Sequence, residues 1–123
     1  METATAKFYI EDDIIYMRAK KDADFTLEAT KEGVEVRRVL QKNKPMLCLI
    51  DTRSVFQVSK ESSAYGASKE VSELSIAMAI LTGSSLATIL IGNFFIKFNK
   101  PLIPTKMFKQ EEKAIQWLNS FKK

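Results

Sequence analysis

The chain lacks histidine, has one cysteine, Cys48, and has only three prolines and four glycines among its 123 residues. The absence of histidine removes the commonest general base and metal ligand, and with it Ser-His-Asp triads and Cys-His pairs. A lone cysteine inside an apolar run cannot form an internal disulfide and is usually inert packing. Because the sequence also lacks a phosphate-binding glycine-rich loop and a Cys-x-x-Cys motif, we predict no enzymatic activity, no cofactor and no metal site.

Long apolar runs are missing as well. No run approaches the roughly 20 residues that cross a membrane, so no transmembrane segment is predicted. The first seven residues, Met-Glu-Thr-Ala-Thr-Ala-Lys, lack the basic-then-apolar order of a signal peptide, and we expect a cytoplasmic protein. With no Pro/Gly/Ser linker and no internal repeat, the 46% hydrophobic content predicts one domain over residues 1–123.

The net charge of +4 comes from the C-terminal part of the chain. Residues 97–123 contain seven lysines against two glutamates, whereas residues 1–96 contain 12 basic against 13 acidic residues. The C-terminal lysines are scattered, with no arginine and no glycine-aromatic motif among them. This pattern argues against a nucleic-acid partner and is typical of a solvated face.

The stretch over residues 46–59 is the one around which we expect the fold to form. Residues 47–50, Leu-Cys-Leu-Ile, are a short continuous apolar run, typical of a strand buried on both faces of a parallel sheet. The Asp-Thr-Arg-Ser segment at 51–54 would follow at the carboxyl end of that strand, where open α/β sheets usually keep their binding surfaces. Asp51 could act there as a general base or cation ligand, but a turn cap or a pair with Arg53 explains it better.

Strands and helices alternate along the rest of the chain after an initial hairpin. Two β-prone runs, residues 7–11 and 14–19, flank a pair of aspartates and predict an antiparallel hairpin. The later elements are predicted as helix, strand, helix, strand, helix, edge strand and helix, over residues 26–43, 47–50, 59–74, 75–82, 86–98, 104–108 and 110–121. Thr26, Ser59 and one of Ser84 or Ser85 are N-cap candidates. The predicted fold class is therefore α/β, with a mixed, mostly parallel five-stranded sheet and four helices.

The predicted helix over residues 86–98 is apolar on nearly all of its sides. Packing on a sheet uses one side of a helix, so the aromatic residues Phe94, Phe95 and Phe98 indicate deep burial or a second hydrophobic partner. Besides plain core packing, this helix could contact another subunit, an apolar ligand beneath it, or a membrane surface. Among these three we favour a symmetric homodimer.

Three segments of the chain carry a family resemblance. They are Leu-Ile-Asp-Thr-Arg-Ser-Val at residues 49–55, Asn-Phe-Phe at 93–95 followed by Asn-Lys-Pro at 99–101, and Phe108 ahead of residues 112–118. With the ββαβαβαβα order, they resemble the STAS or SpoIIAA-like fold of anti-sigma-factor antagonists, and more closely the uncharacterised bacterial SpoIIAA-like proteins, over nearly the whole chain. The resemblance implies a STAS (SpoIIAA-like) fold and a non-enzymatic regulatory or protein-interaction module with a protein partner.

The resemblance also implies a region for partner binding or phosphorylation. In STAS antagonists an Asp-Ser-Ser-Gly turn begins the helix after the central strand, and a partner kinase phosphorylates one of its serines. In this chain the position of the phosphorylated serine is occupied by Lys60 or Glu61. The candidate residues of the partner-binding or phosphorylation region are therefore the nearby Asp51, Ser59, Ser62 and Ser63. Ser59 as a plain N-cap, and the other two serines as solvent-facing helix residues, are the competing interpretations.

Two function classes follow from the sequence. The first is a STAS-like regulatory or protein-interaction module that uses the region from Asp51 to Ser63 and the aromatic helix, with a protein partner or a second copy of the chain. The alternative is a binder of a small apolar or lipid-like ligand held under the helix at residues 86–98.

Overall fold

A mixed five-stranded sheet forms the centre of the fold. The computed structural model describes residues 1–122, except the side chain of Phe56. The strands are β1 (Ala6–Glu11), β2 (Ile14–Ala19), β3 (Ala23–Phe25), β4 (Met46–Asp51), β5 (Val55–Val58), β6 (Ser75–Leu81) and β7 (Thr105–Phe108). The sheet order is β1-β2-β4-β6-β7, in which β1 is antiparallel to β2 and every later neighbour is parallel. A separate parallel pair joins β3 to β5.

Five α-helices follow and cover these strands. They are α1 (Leu27–Gln41), α2 (Lys60–Gly66), α3 (Lys69–Ser72), α4 (Leu86–Phe94) and α5 (Glu111–Asn119). A π-helical turn over Phe95–Asn99 continues α4. The predicted N-caps Thr26 and Ser59 are confirmed, and Ser85 rather than Ser84 caps α4. In each case the side-chain hydroxyl accepts a hydrogen bond from a backbone N–H of the first turn, which satisfies a donor that the helix leaves free.

The N-terminal hairpin forms as the sequence predicts. Asp12 and Asp13 connect β1 to β2 with φ angles of 51° and 65°. Positive φ at both central residues is the signature of a type I′ turn, whose twist matches that of the flanking strands. Aspartate tolerates this left-handed region better than most residues, which explains the acidic pair at the turn.

The two faces of the sheet have different coverings, because successive side chains of a strand point to opposite sides. On one face α5 packs closely, and Leu49, Leu81 and Leu118 are fully buried in the core between them. Small side chains, including Ala79 and Ala114, are also fully buried there and let the helix lie close to the sheet. Helices α1, α2 and α4, with the β3–β5 pair, lie over the opposite face.

The predicted fold class is confirmed, with corrections to its smaller parts. The helix predicted over residues 59–74 is two short helices, because the chain leaves α2 after Gly66 and Ser68 caps α3. The described part of the chain therefore has five α-helices instead of four. The two short strands β3 and β5 were not predicted. Each has only three or four residues, too few for an alternating pattern to stand out.

One side of α1 packs on the sheet. Its apolar residues at helical spacing are Ala29, Gly33, Val36 and Leu40; of these, Gly33 is buried, and Val36 and Leu40 pack partly buried against the core. The other buried residues, Val34, Arg37 and Gln41, each lie one position after a member of that stripe. Gly33 lets α1 come close to the sheet, since a Cβ atom there would lie 3.0 Å from Cζ of Phe8 on β1. This rotation of α1 brings Arg37 beneath the surface.

Candidate functional site

Asp51, the last residue of β4, is 7% exposed and is fully engaged by hydrogen bonds. Its Oδ1 accepts from the backbone N–H of Arg53 at 3.1 Å and from Nε of Arg53 at 3.0 Å. Its Oδ2 accepts from Nη2 of Arg53 at 2.8 Å and from Nη1 of Arg18 at 3.0 Å. The interpretation of Asp51 as a turn cap paired with Arg53 is therefore confirmed.

Arg18 extends this pair into a cluster of four charges. It lies opposite Asp51 in the β2–β4 register, and its guanidinium also binds both carboxylate oxygens of Glu111 in the first turn of α5. Nε of Arg18 donates to the hydroxyl of Tyr9 at 3.0 Å, and the guanidinium lies 5.2 Å from the ring centre of Tyr16. The cluster joins β1, β2, β4 and α5 at one end of the sheet.

Within the cluster of Arg18, Asp51, Arg53 and Glu111, the hydrogen-bonding capacity of Asp51 is fully used. Burial acts to raise the pKa of the Asp51 carboxyl, but hydrogen bonds from Arg53 and Arg18 outweigh it and hold that pKa below its ordinary value. The hydrogen bond to Glu111 raises the pKa of Arg18. Two cations offset two carboxylates, and both oxygens of Asp51 already accept two hydrogen bonds each. This geometry fits a structural role for Asp51, which helps to hold β2, β4 and α5 together, better than the role of a general base.

The three candidate serines occupy different environments. Oγ of Ser59 accepts from the backbone N–H of Ser62 at 3.1 Å, so Ser59 has the role of an N-cap. The expectation that Ser62 and Ser63 face solvent is wrong, because they are only 3% and 7% exposed. Their hydroxyls bond to Thr30 on α1 and to Asn99 after α4, which ties α2 to both neighbours. A modification at any of the three serines stays a prediction.

Helix α4 presents different residues on its outer and inner sides. Leu86, Leu90, Phe94 and Phe98 follow one another at four-residue spacing, are 70%, 59%, 36% and 73% exposed, and form what we call the outer stripe. Phe94 and Phe98 stack on each other with their ring centres 5.0 Å apart. Phe95, the third predicted aromatic residue, points inward and is partly buried. The structure therefore does not bring the three phenylalanines together on one surface.

A cavity of about 160 Å³ lies between the inner side of α4 and the sheet, and we call it the α4 cavity. Met17, Ile50 and Ile80 line it from the strands, and Ile91 and Phe95 line it from the helix side. Further walls come from α1, α2 and the β3–β5 pair. Nearly all of the lining is hydrocarbon, so the site suits an apolar molecule.

Comparison with known proteins gives a family and a fold. No curated protein matches the chain. The family model described as "Domain of unknown function (DUF7793)" matches residues 8–122. The chain belongs to the DUF7793 family. Among solved structures, this DUF7793 protein is similar to an uncharacterized protein of the DUF3478 family with a SpoIIAA-like fold from Shewanella loihica PV-4. The two share 15% identity and a TM-score of 0.65 over 96% of this chain and 98% of that one, which supports the predicted SpoIIAA-like fold.

The residues that line the α4 cavity of the DUF7793 protein were not predicted as a group, although one feature of the sequence indicates them. Glycine in a helix interior costs about 1 kcal/mol relative to alanine and needs a packing reason. Three of the four glycines, Gly33, Gly66 and Gly92, lie in helices α1, α2 and α4, and all three line the cavity. A Cβ atom at Gly66 would lie 3.3 Å from Phe95, and one at Gly92 would clash with Met107. Three helical glycines could thus have indicated helices converging on one site.

Within residues 1–122, no three His, Cys, Asp or Glu side chains are grouped as a metal ion would require. None of the helices in that range is both long enough and apolar enough to pass through a bilayer.

Proposed function

We propose that this protein is a non-catalytic binding module that holds a small apolar ligand in the α4 cavity. The volume and lining of the cavity support this proposal. An engineered cavity of about 150 Å³ with hydrocarbon walls stays dry and binds benzene, and the α4 cavity has a similar volume of about 160 Å³. A native protein that leaves such a hydrocarbon-lined space unfilled gives up packing contacts and the burial of apolar surface. Ligand binding is a use that would offset that cost.

Titration with benzene tests whether the cavity accepts a ligand. We expect saturable amide chemical-shift changes centred on cavity residues such as Ile80, Ile91 and Phe95, together with a rise in melting temperature as benzene is added. Ala29→Leu should fill part of the cavity from α1 and weaken benzene binding. Ala64→Leu, at an exposed position of α2, is the matched control and should bind as the wild type does.

Native mass spectrometry of protein purified from cells looks for the natural occupant. We expect an adduct of low molecular mass that Ala29→Leu loses and Ala64→Leu retains. Benzene shifts that grow linearly without saturation, with no adduct on the purified protein, would contradict the proposal.

A second candidate function is the STAS-like protein-interaction module, and the outer stripe favours it. Four large apolar side chains in a row on one helix form a patch of the kind that marks contact surfaces. A second copy of the chain is the partner we favour, because α4 could pair with its own symmetry mate through the same stripe. The dimer and any regulatory role are proposals, and they are compatible with a ligand on the inner side of α4.

Light scattering coupled to size-exclusion chromatography tests the dimer. We expect a dimer that dissociates when Leu90→Glu or Phe98→Glu places a charge in the outer stripe. Val39→Glu, at an exposed apolar residue of α1 outside the stripe, is the control and should leave the mass unchanged. A monomer at all concentrations would contradict the proposal.

The region from Asp51 to Ser63 is the remaining candidate for a protein partner. If a partner recovered by pull-down binds there, Ser59→Asp should weaken recovery without unfolding the chain, because aspartate adds a negative charge and can still cap α2. Recovery that is unchanged by Ser59→Asp would remove this region from the proposed surface.

A further inference from the structure

Arg37 is a buried cation that has no anionic partner among residues 1–122. It lies on α1, is 4% exposed, and is the one charged residue among those that line the α4 cavity. Within residues 1–122 no carboxylate forms an ion pair with it. Buried charges are normally paired, because removing an ion from water costs several kcal/mol. Arg18, which is more exposed, has two carboxylates.

The hydrogen bonds of Arg37 satisfy only part of its guanidinium. Nε donates to Oε1 of Gln41 at 2.9 Å, and Nη2 donates to Oγ of Ser75 at 2.9 Å and to the carbonyl of Leu74 at 3.3 Å. All three acceptors are neutral. Nη1 makes no hydrogen bond to any of the described residues. One arm of the guanidinium is therefore free to donate to an additional group.

Cys48 does not supply the missing negative charge. Its thiol lies near Arg37 on the same face of the sheet and is fully buried. Burial raises the pKa of that thiol in spite of the neighbouring cation, so Cys48 is a neutral thiol at neutral pH. Gln41 and Ser75, the side chains that face the guanidinium, do not ionise.

We propose that the α4 cavity takes a small apolar monoanion, an aliphatic carboxylate of about six carbons in all, whose carboxylate accepts from Arg37 while the hydrocarbon tail fills the cavity. This inference rests on the proposed function and names the class of its ligand. Guanidinium binds carboxylate through charge-assisted hydrogen bonds, which are among the stronger ones. The size of the ligand follows from the cavity volume of about 160 Å³, similar to one that holds the six carbons of benzene.

A matched pair of ligands tests the preference for an anion. Hexanoate and 1-hexanol each have six carbons, and only hexanoate is charged. Because the hydrocarbon tail of 1-hexanol is one methylene longer, tighter binding of hexanoate would come from its charged group. Measured by titration calorimetry or amide chemical shifts at pH 7, hexanoate should bind the wild type at least about tenfold more tightly than 1-hexanol, the value expected for a hydrogen bond to a charged group. Weaker or equal binding of hexanoate would overturn the inference.

Substitutions at two neighbouring arginines test which residue holds the carboxylate. Arg37→Gln should reduce hexanoate affinity about tenfold or more while leaving 1-hexanol affinity nearly unchanged. Arg38→Gln removes the same charge from the adjacent residue, which pairs with Glu35 and Glu70, and should leave both affinities as in the wild type. If Arg37→Gln lost neither affinity, the carboxylate would lie elsewhere and the inference would be wrong.

The outcomes separate this inference from the proposed function. If neither hexanoate, 1-hexanol nor benzene binds, the cavity is not a ligand site and both proposals fail. If the neutral ligands bind and hexanoate does not bind more tightly, the ligand site stands and only the anion is wrong. Because Arg37 also ties α1 to the start of β6, the wild-type comparison of hexanoate with 1-hexanol decides the inference even if Arg37→Gln does not fold.

Discussion

The two faces of the central sheet differ in how completely they are packed and in how their charges are paired, although the same strands form both. The face covered by α5 buries Leu49, Leu81 and Leu118 without exposure, and its charged cluster pairs each cation with a carboxylate. The face covered by α1, α2 and α4 holds a cavity of about 160 Å³ and a buried Arg37 that pairs with no carboxylate of residues 1–122. A complete core stabilises a fold, whereas a void and an unpaired charge lower stability unless something binds there. We infer that the α5 face stabilises the molecule and that the opposite face is the one that binds.

Truncation of a core leucine on the α5 face should have the largest effect. Leu118→Ala removes a side chain that is 0% exposed and leaves a void that close packing cannot fill. We expect a loss of about 4 kcal/mol in the free energy of unfolding, measured by urea denaturation. Ile91→Ala, at a partly buried residue beside the existing cavity, is the paired variant and should cost about 2 kcal/mol. Equal losses at the two sites would break the comparison between the faces.

Removal of the acid from the charged cluster should have a moderate effect. Asp51→Asn removes one of the two carboxylates that contact Arg18 and Arg53, and leaves Glu111 as the only acid of the cluster. We expect a loss of about 2 kcal/mol in the free energy of unfolding, since the arginines are partly exposed and water can replace some of the lost bonds. Glu2→Gln breaks the surface pair with Lys20 and is the control, for which we expect no measurable change. A loss at Glu2 as large as that at Asp51 would argue against a structural role for the cluster.

The acid dependence of stability provides a separate test of the cluster. The folded pKa of Asp51 is below its ordinary value, so the unfolded state binds more protons at acid pH. The contribution of this carboxyl to stability is therefore fully present above about pH 4, near the unfolded pKa of aspartate, and is lost as pH falls through the folded pKa. Denaturation at several pH values should show a flatter acid decline for Asp51→Asn than for the wild type. Identical declines would show that this carboxyl is not the group involved.

Sequence patterns predicted the α5 face better than the cavity face. The apolar run at residues 47–50 and the amphipathic pattern of α5 are local signals, and both elements form as predicted. The burial of Ser62 and Ser63 depends on Thr30 and Asn99, more than 30 residues away in each case. Patterns within a short window carry no information about partners so distant in the chain.

The α4 cavity could not be predicted for the same reason. It is bounded by strands and helices from separate parts of the chain, and a void is a property of how they pack rather than of any one of them. The buried position of Arg37 was missed because a basic residue near the end of a helix is explained by the helix dipole alone. Only the rotation of α1 on the sheet decides which of two adjacent arginines is buried.

The smallest expected effect concerns Ser59, where an N-cap and a phosphorylation site are the competing interpretations. Ser59→Ala removes the hydroxyl that accepts from the N–H of Ser62, and we expect a loss of about 1 kcal/mol in the free energy of unfolding. Ser59→Asp should restore most of it, because aspartate caps a helix as well as serine does. Since α2 lines the α4 cavity, a destabilised α2 should also weaken benzene binding in Ser59→Ala and not in Ser59→Asp. If aspartate failed to restore stability, the hydroxyl of Ser59 would have a role other than capping α2.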